Sequence, residues 1–296
     1  MEKAVFGALV AAASLRRTFV RHRGNGLLRK PEKVAVASAK KYSLEEVVHI
    51  AGQLAQYVRA KFVFGDGDAV FSKQDTSPVT VADVAIQVLV TLMLKKTLGV
   101  ESIRLIGEED IQIFADDVDG SRIAIVHDIV ERFLPKDAGI SLSESTIVDT
   151  LKEANDEGGD GSFWTLDPID GTKGFILEGG QYATGLARVE NGAVVQAIIG
   201  CPVLSSAYMC GDPRLLGCVY SATLGEGAFV RAVDENGTLG PPTPVRIPHA
   251  ENRAVRCCLW HGRFWRKFTV CLMCCQFFME RKCATPCLEH TAKTPA

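Results

Sequence analysis

The chain has 296 residues, enough for one large domain or two modest ones with an ample core. Its composition is ordinary for a globular protein and its net charge is only −2, but residues 1–42 carry ten Lys and Arg against two acids and residues 253–296 carry eight against two, which leaves −16 on residues 43–252. So acidic a body excludes a nucleic-acid polymer as its partner, since duplex affinity rests on basic phosphate contacts, and it suits a site that gathers cations before an anionic substrate.

The first 42 residues form a basic leader. Arg16, Arg17, Arg21, Arg23 and Arg29 stand among small and apolar residues with few acids, as in an organelle transit peptide. The expected address is a chloroplast or mitochondrion, with the cytoplasm as the alternative if the leader is a plain basic tail. Leu44–Phe64 reads as an amphipathic helix with Ser43 as N-cap and Glu45 and Glu46 in its first turn. Residues 65–78 form a Gly- and Asp-rich loop that carries Asp75. Thr80 and Asp83 are spaced as a capping box, with Asp in place of the usual Glu or Gln, ahead of a helix predicted over Val84–Leu98. No transmembrane span and no membrane partner are expected, because Asp83, Gln87, Lys95 and Lys96 interrupt the apolar run Val79–Leu98.

A short strand at 102–106 leads into Gly107-Glu108-Glu109-Asp110, which on its own would be a solvated acidic turn. From 111 to 160 the chain is acidic and less regular, with helical spacing at Ala124–Leu134 and Thr146–Ala154. Strands follow: Phe163–Leu166, then Tyr182–Val189 and Ala193–Ile199 around the two-residue hairpin signal Asn191-Gly192, then Leu204–Met209, Leu216–Ser221 and Gly225–Ala232. Strands beside a pair of helices predict an α+β or layered α/β/α architecture. Residues 253–296 break with all of this, being basic and rich in Cys and aromatics with no sustained period. Cys271-x-x-Cys274 and Cys283-x-x-x-Cys287 lie too close together for a zinc ribbon or finger. This tail reads as unrelated to the body, of the kind an altered reading frame or a retained intervening sequence produces. The three cysteines of the body, Cys201, Cys210 and Cys218, suit a reducing compartment.

The chemistry is concentrated in Trp164-Thr165-Leu166-Asp167-Pro168-Ile169-Asp170-Gly171-Thr172-Lys173-Gly174-Phe175. Pro168 fixes its own φ and biases Asp167 towards an extended conformation. A turn there would let both carboxylates and the Ile169 carbonyl face one point. Hard oxygen ligands gathered in this way suit Mg²⁺, which keeps positions for water and substrate phosphate. Gly171 allows close backbone approach and Thr172 offers a hydroxyl. Asp-Pro and Asp-Gly alone would only mark a surface turn.

The string resembles the metal-binding signature of the inositol monophosphatase-like, lithium-sensitive phosphatases, and Lys173-Gly174-Phe175 is similar to the 3′(2′),5′-bisphosphate nucleotidases within them. Asp75-Thr76-Ser77-Pro78-Val79-Thr80-Val81-Ala82-Asp83 and Gly107-Glu108-Glu109 resemble two further family strings, in the same order. The resemblance covers residues 43–252 as a phosphatase domain and implies the layered sugar-phosphatase fold. It implies that Glu108, Asp167, the Ile169 carbonyl and Asp170 bind Mg²⁺, that Asp75 and Thr172 orient and deprotonate the attacking water, and that Gly171 and Thr172 hold the phosphate. The implied substrate is 3′-phosphoadenosine 5′-phosphate or its sulfated form, with an inositol phosphate as the alternative. Two departures stand out. No Trp is followed by Asp, so a ligand that the family draws from its C-terminal half has no counterpart, and the C-terminal subdomain is expected to be incomplete and the activity weak. The run Ile176–Tyr182 is one residue longer than usual and lacks the family's basic residue.

Overall fold

The computed structural model describes residues 42–64, 78–115, 117, 120–205 and 216–245. Asp75, the leader before Tyr42 and the Cys-rich tail lie outside the described residues.

Helix α1 (Leu44–Val58) starts as its sequence predicts: the Ser43 hydroxyl accepts the Glu46 N–H at 3.2 Å, and the Glu46 carboxylate accepts the Ser43 N–H at 2.6 Å. Its C-terminal end widens into a π-helical turn, Arg59–Val63. Helix α2 (Pro78–Leu98) begins six residues earlier than expected. Thr80 is therefore inside the helix and not at its N-cap, where the sequence spacing places it. Proline in a first turn gives up only a donor that has no helical partner there, so Pro78 opens the helix rather than preceding it.

The chain then lays down β1 (Leu105–Ile106), a 3₁₀ turn (Ile111–Phe114), α3 (Ser121–Phe133), a second 3₁₀ turn (Lys136–Ala138) and α4 (Glu144–Glu153). After these come β2 (Ser162–Asp170), the short α5 (Thr172–Ile176), β3 (Ala183–Glu190), β4 (Ala193–Ser205), β5 (Leu216–Thr223), β6 (Gly227–Ala232) and β7 (Thr243–Pro244). The strand expected to begin at Leu204 is instead the end of β4, and residues 206–209 lie outside the described residues. Asn191 and Gly192 both take positive φ, 49° and 75°, and turn β3 back onto β4.

Seven strands form one sheet in the order β1 to β7. Only β1–β2 is parallel; every later neighbour is antiparallel and consecutive in the chain. Helices α1 and α2 pack on the sheet, while α3 and α4 pack on α2. Sandwiched in this way, α2 is buried all round from Val81 to Leu94, which is why it lacks an amphipathic stripe. The main core joins all four long helices to one sheet face through Trp164, Leu166, Leu186, Ile198 and Val219. The alternate residues Ala187, Ala197, Ile199, Cys201, Cys218 and Val230 make a smaller cluster, to which none of these helices contributes. The result is a layered α+β fold. This is the layered architecture the sequence predicts, and among the described residues the four long helices share the core on one face of the sheet.

Candidate active site

Strand β2 does not end at Leu166 as expected but runs on through Asp170. In a regular strand, residues three apart face opposite ways. Here Asp167 pairs with Gly185 and Asp170 with Ala183, three residues on β2 against two on β3. This one-residue bulge returns both carboxylates to the same side of the strand. Their cross-strand partners are small, which leaves room for charge. Pro168 sits in the bulge, where its missing N–H leaves no unmade ladder bond. The Thr184 hydroxyl donates to the Pro168 carbonyl at 2.8 Å and so satisfies the displaced backbone. Gly171 follows with φ 93°, a left-handed turn that starts α5 and leaves Thr172 exposed.

Glu108 arrives from the end of β1, which lies parallel to β2 with Ile106 opposite Thr165. The strip Gly107–Glu109 is held to α2 by Gln87. The Gln87 amide donates to the Glu109 carbonyl at 2.7 Å, and its oxygen accepts the Glu109 N–H at 2.9 Å. A side chain at Gly107 would bring its Cβ to 2.5 Å from the Gln87 amide and force that amide off its two bonds to Glu109. Gln87 is fully buried. Reading it as a polar break in an apolar run overlooked this role; a lone amide on an otherwise apolar helix was the available signal.

Five carboxylates share the region. Asp83, on α2 and 8 % exposed, has its pKa pushed well up by burial and then by Glu109, Glu108 and Asp167. Glu109 is raised to about 7 by burial and by Glu108. Asp167 is raised by burial, then by Asp170 and Glu108, and one of its oxygens, Oδ1, is buried with no hydrogen-bond partner. Burial and Glu108 raise Asp170 to about 7. Glu108 itself is exposed at the rim. The structure thus brings Glu108, Asp167 and Asp170 together and sets Gly171 and Thr172 directly after them. It also adds Asp83 and Glu109, which the sequence reading treated as a cap and as part of an acidic turn.

An all-oxygen donor set, mutual repulsion and an orphaned buried carboxylate oxygen fit a hard divalent cation such as Mg²⁺. Among the described residues no three acidic, Cys or His side chains converge on one point at ligation distance. A cation would therefore draw these carboxylates inward and take its remaining oxygens from water and substrate. A cleft of about 320 Å³ between α1 and β4–β5, lined by His49, Gln53, Cys201, Cys218 and Asp234 among others, shares no residue with this cluster.

Residues 41–263 match the inositol monophosphatase family. The chain belongs to that family. Among its relatives is 3′(2′),5′-bisphosphate nucleotidase 1 of Arabidopsis thaliana, 34% identical over 218 residues, which are 70% of this chain and 60% of that one. The 3′(2′),5′-bisphosphate nucleotidase of Oryza sativa is 36% identical over 214 residues, 69% of this chain and 57% of that one. Among solved structures, CysQ of Bacteroides thetaiotaomicron, described as a bacterial member of the inositol monophosphatase family, aligns at 18% identity with a TM-score of 0.35. It covers 70% of this chain and 57% of that chain. The chain spans about 60% of the length of the curated relatives it matches.

Proposed function

We propose that this chain is a Mg²⁺-dependent phosphatase that removes the 3′-phosphate from 3′-phosphoadenosine 5′-phosphate and its sulfated form. The observation that carries this reading is the β2 bulge, which sets Asp167 and Asp170 on one side of the strand, beside Glu108 and just before Gly171 and Thr172. Family membership supports phosphoryl chemistry, and the nucleotidase relatives support the substrate class.

In this reading Glu108, Asp167, Asp170 and the Ile169 carbonyl hold the ion. Bound there, Mg²⁺ supplies charge neutralisation at the phosphoryl oxygens and a more acidic water. The protein's own groups do the rest. The Thr172 Oγ1 orients the attacking water, with Asp75 as the base that takes its proton. The backbone at Gly171 comes close to the phosphate because no Cβ stands in the way. Glu109 and Asp83 stay protonated longer than free carboxylates, so they add less repulsion to the anionic substrate than five full charges would.

Phosphate release tests the reading, with 3′-phosphoadenosine 5′-phosphate and inositol 1-phosphate as substrates, each with and without Mg²⁺ and Li⁺. The expected result is Mg²⁺-dependent, Li⁺-inhibited release from the nucleotide alone, and none from Asp167→Asn. Release from the inositol phosphate in preference to the nucleotide would reassign the substrate. Release no greater than that of Asp167→Asn would remove the catalytic reading.

A further inference from the structure

The segment from Gly171 to Gln181 carries Thr172, yet it buries little of its own. Of its α5 residues only Phe175 is buried, while Thr172, Lys173 and Ile176 to Gly179 are exposed. Something other than apolar packing must hold it, and Arg59 meets that description. Arg59 is only 8 % exposed and stands where α1 passes into its π-helical turn, an irregularity that often marks functional positions.

From there its guanidinium reaches the carbonyl side of the segment. Nε donates to the Phe175 carbonyl at 2.8 Å, and one terminal nitrogen donates to Gly174 at 3.2 Å, to Gly180 at 3.3 Å and to Leu177. The cation also lies 5.0 Å from the Phe64 ring centre and 5.3 Å from that of Tyr182, whose ring packs edge-on against Phe175. Among the described residues, this buried charge is met by four backbone carbonyls. Such a charge is tolerable only when it is hydrogen-bonded on several sides. The planar fork suits the task, whereas an ammonium could not serve four acceptors fixed in this spread. The segment is also closed on itself: a Cβ at Gly174 would lie 1.8 Å from the Gln181 carbonyl oxygen, and one at Gly180 would lie 2.2 Å from that of Gly174.

We propose that Arg59 is a positioning residue for the reaction: by clamping the carbonyls of Gly174 to Gly180 it sets where Gly171 and Thr172 stand relative to the carboxylates. Arg59 touches none of the expected metal ligands and acts only through this segment. The inference rests on the phosphatase reading of the site, and the test keeps the two apart.

Arg59→Met and Arg59→Lys in the full chain are compared with the unaltered protein and with Thr172→Val. Three quantities are measured: turnover, Mg²⁺ affinity by calorimetry, and hydrogen exchange of residues 171–181 with and without Mg²⁺ plus inorganic phosphate. A displacement of about 1 Å can cost on the order of a hundredfold in rate. Arg59→Met should therefore lower kcat by about that factor with KM and Mg²⁺ affinity little changed, and Arg59→Lys should fall between. Exchange over 171–181 should speed up in both variants while α2 and β3 stay protected, and phosphate should no longer slow it. Unchanged exchange and turnover in folded Arg59→Lys would overturn the proposal. So would loss of Mg²⁺ affinity in step with kcat, which signals general collapse. If Thr172→Val keeps full turnover, the reading of the site fails; if it does not and the Arg59 variants match the unaltered protein, only the clamp fails. In a chain without measurable turnover, phosphate protection that persists in Arg59→Met would also overturn the clamp.

Discussion

At the scale of single residues, the acids of the site are held against their own repulsion. Asp170 and Glu109 each titrate near about 7 in the folded chain, chiefly because burial disfavours their charged forms. The folded state thus holds these protons more tightly than the unfolded state, whose carboxylates release theirs near about 4. A raised carboxylate pKa contributes stability below the unfolded value, and that stability is lost as pH rises through the folded one. Metal-free protein should therefore melt at a lower temperature at pH 8 than at pH 5, and Mg²⁺ should raise the melting temperature more at pH 8. Asp170→Asn removes one of the crowded charges, so its metal-free melting temperature should fall less across this range while its response to Mg²⁺ shrinks. Thermal melts at the two pH values check this, and equal Mg²⁺ responses at both would contradict it. The sequence marked Glu108, Asp167, Asp170 and Thr172 because they sit in strings with a chemical pattern. Asp83 and Glu109 went unmarked because each also satisfies a local rule, a cap in one case and a solvated turn in the other. Their burial is a tertiary fact that no local window contains.

At the scale of elements, the site depends on how helix α2 grips the strip after β1. Gln87 replaces two ladder bonds by pairing its amide with the N–H and carbonyl of Glu109. Gln87→Leu keeps the bulk but strands both backbone groups, which costs roughly 1–3 kcal/mol when a buried partner is lost. The variant should lose about that much stability in urea melts and bind Mg²⁺ more weakly, since Glu108 is the neighbour of the freed residue. Undiminished Mg²⁺ affinity in a destabilised Gln87→Leu would show that the strip is placed without this amide. Helices α1, α3 and α4 were readable from their periodicity to within a few residues, because each shows one wet face. The start of α2 was not, since a helix buried all round hides its phase and Pro78 was counted with the Gly- and Asp-rich loop before it. The end of β2 was missed for a related reason: Asp-Pro and Asp-Gly favour turns locally, and only the pairing with β3 turns them into a bulge.

At the scale of the whole molecule, the strand order decides when the parts meet. From β2 to β7 each strand pairs with its chain neighbour, so those pairings close short loops that form early. The β1–β2 pairing is different: it is parallel and encloses α3 and α4 between its partners. Closing that long loop is slow relative to zipping a hairpin, so β1 should dock last. Glu108 and Glu109 ride on the end of β1, whereas Asp167 and Asp170 belong to the meander. Pulse-labelled hydrogen exchange during refolding should find β3–β5 amides protected before that of Trp164, which donates to the Arg104 carbonyl across the β1–β2 edge at 2.8 Å, and simultaneous protection would rule this order out. The acids that repel one another would then be brought face to face only in the final step, so assembly of the negative cluster becomes the closing event of folding and its rate should rise with Mg²⁺ in the refolding buffer.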